Sequence, residues 1–141
     1  FPITTNNPGD EGIQQLSDAL TTTESITGIN LVDIDLTGER AAVLSEALKV
    51  NHSVTTLDCS RNRRVGDEGV ESLSSALRTD GATITVLQCL HLGRCGIGDI
   101  GASTIGSVLV GNSMLQQLNL TGNGIGDFGA GAIMGALVGI N

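Results

Sequence analysis

The sequence predicts an α/β solenoid of about four and a half stacked repeats, each supplying one strand and one helix. Three observations carry this reading. First, Leu115, Leu118, Leu120 and Asn123 answer Leu87, Leu90, Leu92 and Cys95 at a constant offset of 28 residues, and a fixed period of that size marks a repeat architecture. Second, the last two apolar anchors of each set alternate at period 2, as a half-buried strand requires. Third, the second half of each unit spaces its apolar residues by four, which aligns them on one face of a helix.

The chain reads as one array over residues 1–141, phased near 26, 54, 87 and 115 after a truncated first repeat at 1–25. In that first repeat, Phe1 and Ile3 are the remains of a strand, Asn6 belongs to its turn, and Leu16 and Leu20 form a helix face. The second repeat runs from a strand with Ile26, Ile29 and Leu31 to a helix with Leu44 and Leu48. Ile34 stands where other repeats carry a polar turn residue, so an altered turn is expected there. Val54, Leu57 and Cys59 open the third repeat, followed by Asn62, Leu73 and Leu77, with one extra residue among Arg61–Arg64. The fourth places Ile105 and Leu109 on its helix, after further inserted residues around Thr79–Thr83. The fifth ends on a helix face with Ile133 and Leu137. Asp10, Asp67, Asp99 and Asp127 precede the helical faces, where a carboxylate can accept orphan N–H groups. Gly12, Gly69, Gly101 and Gly129 follow two residues later and read as points where helix and strand come close.

The pattern L-x-x-L-x-L-x-x-N/C in five phased copies resembles the leucine-rich repeat, specifically its ribonuclease-inhibitor-like subclass, along the whole chain. The resemblance implies parallel strands on a concave side, helices on the convex side, and a protein-binding scaffold rather than an enzyme. It also implies that Asn6, Asn62, Cys95 and Asn123 point inward and bond neighbouring backbone groups as a ladder.

Composition narrows the functions. Two Phe and neither Trp nor Tyr exclude base-stacking platforms and aromatic cages. A net charge of −8 argues against nucleic acid. No apolar run reaches the roughly 18–20 residues of a membrane span. Gly96–Gly101 and Gly124–Gly129 both match G-x-G-x-x-G, but the repeat accounts for both, and no acidic residue follows at the distance a dinucleotide site needs. No cofactor and no small-molecule substrate are therefore expected. His52 and His91 lie far apart on the template, so no metal site is expected. Cys59 and Cys95 are inward and Cys89 outward, with no two in one column; unpaired thiols favour a cytoplasmic setting. Asn51 and Asn119 head glycosylation sequons and, with the non-Met start, keep an extracellular one open.

Matching positions on adjacent strands stack about 4.8 Å apart. Asn30, Asp58, His91 and Asn119 then share a column on the concave face, where Asp58 and His91 read as an exposed charge pair. Ser60 shares no column with them, and a flat sheet supplies no oxyanion hole, so no catalytic residue is assigned. A second column runs Thr5, Asp33, Arg61, Arg94, Gly122. Arg63 and Arg64 stand beside it, so four of the seven basic residues gather in one corner. Arg is favoured at interface hot spots. The residues expected to meet a protein partner are Asp33, Asp58, Arg61, Arg64, His91, Arg94, Gln117 and Asn119. The alternative is a structural subunit with uncapped ends. Phe1 and Ile3 of one copy would meet Ile140 of another, and such a heterologous contact propagates into a filament or ring.

Overall fold

The computed structural model of the chain describes residues 7–79 and 86–138. Helices and three-residue strands alternate: α1 (Gly9–Leu20), β1 (Gly28–Asn30), α2 (Gly38–Val50), β2 (Thr56–Asp58), α3 (Gly66–Ser75), β3 (Cys89–His91), α4 (Asp99–Leu109), β4 (Gln117–Asn119) and α5 (Asp127–Val138). The strands form one parallel sheet in chain order. Its register places Ile29, Leu57, Leu90 and Leu118 in one inward row, with Asn30, Asp58, His91 and Asn119 in the row beside it. The α/β solenoid and the expected strand phase are both present.

Between sheet and helices lies a continuous apolar core. Leu31, Leu36, Leu44, Leu57 and Cys59 are fully enclosed, and Ile34 is buried with them in its altered turn. Sheet pairing continues past each short strand. Leu31, Cys59 and Leu92 donate their backbone N–H to Asp58, His91 and Asn119 of the next repeat at 2.7–2.9 Å. Hydrogen bonds between repeats thus extend through the turns, which explains how three-residue strands can hold the array together.

The turn ladder forms as expected wherever it is described. Asn62 is 1% exposed. Its Oδ1 accepts from the N–H of Ile34 and Leu36, and its Nδ2 donates to the carbonyls of Leu31 and Cys59. Asn123 does the same one interface later, accepting from Cys95 and Ile97 and donating to Leu92 and Leu120. Cys95 keeps the donor half, its thiol reaching the Cys59 carbonyl at 3.1 Å. Asn6 lies outside the described residues.

A second pair of asparagines, unforeseen from sequence, closes the opposite end of two of the repeats. Asn51 is 4% exposed; its Nδ2 donates to the carbonyls of Leu20 and Thr23, and its Oδ1 accepts from Ser53 and Val54. Asn112 repeats this with Leu77, Met114 and Leu115. The sequon reading of Asn51 needs this amide in solvent, where the fold does not place it. An amide nitrogen buried and bonded to two carbonyls is not open to glycan attachment in the folded chain.

The aspartates at the helix starts also need correction. None is bonded to the N-terminal N–H groups of its own helix among the described residues; Asp10, Asp67 and Asp99 reach across to the next repeat. Asp67 Oδ1 accepts from Gly98 N at 2.7 Å, and Asp99 Oδ1 from the N–H of Gly126 and Gly129 at 2.8 and 2.9 Å. The recurrent glycines make room for that carboxylate and the neighbouring helix, not for the strand. A Cβ on Gly101 would stand 2.5 Å from Asp67 Oδ1, and one on Gly129 2.7 Å from Asp99 Oδ1. In α2 the position is Arg40, whose Nε instead meets Asp10 Oδ1 of the preceding repeat at 2.7 Å. Asp99→Ala should accordingly cost about 0.5–2 kcal/mol, the range for loss of a helix-terminal acceptor. Urea unfolding checks this, with Asp127→Ala expected within about 0.5 kcal/mol because no described N–H faces it.

The last helix departs from the expected pattern. Ile133 is only partly buried and Leu137 is 50% exposed, although Leu44, Leu48, Leu73 and Leu77 at matching positions are buried. Among the described residues α5 packs against α4 alone, so Met134, Leu137 and Val138 stay exposed on its far side. For the same reason Leu118 and Leu120 are less enclosed than Leu90 and Leu92.

Candidate functional site

The strand face and the turns beside it carry the residues singled out from the sequence, divided between two depressions. A shallow groove of about 510 Å³ holds Asn30, Thr56, Asp58 and His91. A cleft of about 490 Å³ holds Asp33, Asp35, Arg61, Arg63, Arg64 and Arg94, with Asn7 at its edge. Gln117 is exposed on β4 and Asn119 lies in the column beside it, outside both depressions. Phe1, Ile3 and Ile140, expected to meet end to end, lie outside the described residues, as does Thr5.

Asp58 and His91 are register neighbours as expected, but they do not form the expected charge pair. Among the described residues no ion pair joins them. The Asp58 carboxylate turns back to accept the N–H of Ser60 at 2.9 Å. Asn30 and Asn119 curl in the same way onto Val32 and Thr121, at 3.0 and 2.9 Å. An acceptor beside its own i+2 N–H finds a partner without spanning to the next strand, and that local bond wins over the cross-strand one.

The arginine cleft is built from the left-handed turn of each repeat. Asp33, Arg61 and Arg94 have φ of 58°, 66° and 57°, and Gly122 at the matching position has 70°. Their backbones are held there by the inter-repeat ladder: the N–H of Asp33, Arg61 and Arg94 donate to Ser60, Gly93 and Thr121 at 3.1, 2.7 and 2.8 Å. A non-glycine residue in this region costs roughly 1–2 kcal/mol, and the surrounding hydrogen bonds sustain it.

Two ion pairs line the cleft. Arg61 Nη2 stands 3.9 Å from Asp33 Oδ2, and Arg64 Nη1 3.1 Å from Asp35 Oδ2. All four side chains are well exposed, so each pair contributes at most about 1 kcal/mol. Asp35 and Arg40 were missed in the sequence. Asp35 has φ of 56° and its carbonyl accepts from Arg40 Nη1 at 3.0 Å; the only sequence signal was a second acid two residues after Asp33.

The three cysteines are free thiols. Burial pushes the Cys59 thiol well above its ordinary range, with the nearby Cys95 and Asp58 adding to the rise. Burial likewise pushes Cys95 up to about 11, partly offset by the backbone N–H of Asn62. Both remain protonated at neutral pH, which makes them poor nucleophiles. Among the described residues no three metal-binding side chains converge.

Comparison with known proteins matches the leucine-rich repeat family model at residues 50–74, 83–106 and 111–134, together more than half of the chain. Human NACHT, LRR and PYD domains-containing protein 5 is 34% identical over 111 residues, which are 78% of this chain and 9% of that protein. Ribonuclease inhibitor of Sus scrofa is 32% identical over 113 residues, 79% of this chain and 24% of the inhibitor. The chain thus spans a quarter or less of these curated relatives. Among solved structures, leiomodin-1 actin-binding site 2 superposes with a TM-score of 0.76 at 22% identity, covering 89% of this chain and 72% of that one. The tropomodulin C-terminal domain of Caenorhabditis elegans gives 0.50 at 12% identity, covering 91% and 92%. At such identities the likeness is one of fold alone.

Proposed function

Because the chain belongs to the leucine-rich repeat family, in its ribonuclease-inhibitor-like form, we propose that it is a non-enzymatic scaffold that holds a protein partner on its strand face and arginine cleft. Leucine-rich repeat proteins commonly mediate protein–protein interactions. The name of the leiomodin-1 structure, an actin-binding site, is consistent with protein binding on this architecture. The observation that carries the reading is the arginine cleft beside the groove of β1–β3. In a chain of net charge −8, Arg61, Arg63, Arg64 and Arg94 meet at one solvent-facing corner, and interface energetics favour arginine.

Asp33, Asp58, Arg61, Arg64, His91, Arg94, Gln117 and Asn119 make up the proposed contact set, centred on the arginines. The double substitution Arg61→Glu with Arg94→Glu should abolish capture of the native partner. Its helical circular dichroism should stay unchanged, because both side chains point into solvent. Capture at wild-type strength by the folded double variant would remove the cleft from the interface.

A further inference from the structure

Two features of the cleft work against folding. Arg61 and Arg94 sit in the left-handed region, with φ of 66° and 57°, where the glycine of the last repeat, Gly122, adopts the same conformation freely. They also occupy the same template position on adjacent repeats, and like charges set opposite one another repel. The two side chains lean apart along the array. Arg61 Nη2 lies toward Asp33 of the preceding repeat at 3.9 Å. The stem of Arg94 lies over Gly122 of the following one, its Cγ 2.8 Å from the point a Cβ there would occupy. Arg63 lines the same cleft, and among the described residues no carboxylate comes within ion-pair distance of Arg63 or Arg94. Strained backbone held by its surroundings is characteristic of functional sites. Here it coincides with like charge that Asp33 offsets only on the Arg61 side, through an exposed pair at 3.9 Å.

We propose that the cleft receives carboxylate side chains from an acidic segment of the partner protein, seated between the guanidinium groups of Arg61 and Arg94 with Arg63 beside them. This rests on the scaffold reading above and names the chemistry of the partner. A planar guanidinium pairs with a carboxylate through two parallel N–H bonds. A carboxylate placed between the splayed pair offsets their repulsion. The remaining surface is acidic, so such a segment is repelled elsewhere and admitted here, which gives orientation as well as attraction. Because screening limits exposed charges to about 8 Å at physiological salt, the local cluster outweighs the net charge of the whole chain.

The test titrates the 15N-labelled chain with acetyl-hexaglutamate amide, with the matching hexaglutamine peptide, and with inorganic phosphate. Hexaglutamate alone should shift the backbone amides of Asp33, Arg61 and Arg94. The double variant Arg61→Asn with Arg94→Asn should bind it roughly tenfold or more weakly, while its Tm rises, since asparagine tolerates the left-handed conformation better than arginine. Wild-type binding by that variant, shifts scattered over the surface, binding of phosphate in place of the peptide, or a lowered Tm would each overturn the proposal. If hexaglutamate is silent but the glutamate double variant still loses its native partner, the carboxylate proposal fails and the scaffold reading stands. If hexaglutamate binds as expected but the glutamate double variant still captures the native partner, the partner's carboxylates are not what the cleft receives, and the proposal falls together with the cleft's place in the scaffold reading.

Discussion

Asn62→Leu is expected to lower the unfolding free energy by about 2–6 kcal/mol, at about 1–3 kcal/mol for each of the two buried N–H groups left without an acceptor. The side chain is 1% exposed and satisfies the N–H of Ile34 and Leu36, themselves 2% and 0% exposed. Leucine fills similar space and accepts nothing. The carbonyls of Leu31 and Cys59 lose their 2.8 Å donor at the same time. Domains of this size are typically stable by about 5–15 kcal/mol, so the variant approaches the threshold of folding. Asn123→Leu removes an equivalent set of bonds but should cost clearly less, because Asn123 is only half-buried and water can reach the abandoned groups. Urea midpoints of the two variants measure the difference. Equal losses would show that burial does not set the worth of this ladder.

Leu57→Ala should cost about 2–5 kcal/mol, as buried leucine truncations do when the cavity cannot collapse. Leu57 is 0% exposed and stands between Ile29 and Leu90 in the inward row. From the repeat pattern alone, Leu118→Ala should cost as much as Leu90→Ala. The structure separates them: Leu118 is only partly buried where α5 and β4 have no described neighbour beyond them, so its loss should fall below that range. Gln117→Ala, outward on the same strand, should remain within about 0.5 kcal/mol. Thermal and urea unfolding of the four variants read the order directly. A Gln117→Ala variant as damaged as Leu57→Ala would reverse the strand phase.

Sequence by itself determined the period, the strand phase and the two surface columns. Each rests on a rule that acts within one repeat, namely alternation along a strand and spacing by four along a helix, copied at constant offset. That is why Arg61 and Arg94 align from the sequence alone, whereas the inward setting of Asn62 and Asn123 follows from the resemblance to the leucine-rich repeat. Only the tertiary structure decided what happens where one repeat touches the next. Asp67 and Asp99 look like caps for their own helices, yet their carboxylates close the N-terminal turns of helices 27–31 residues further on. Asn51 looks like a glycosylation site until its amide is found bonded to Leu20 and Thr23. Asp58 looks like a partner for His91 but takes the N–H of Ser60, and the left-handed φ of Arg61 and Arg94 has no mark in residue type, since arginine does not favour it. In each case several acceptors or conformations are open to the residue locally. The choice among them depends on distances of a few ångströms across the inter-repeat interface, which exist only once the repeats have stacked.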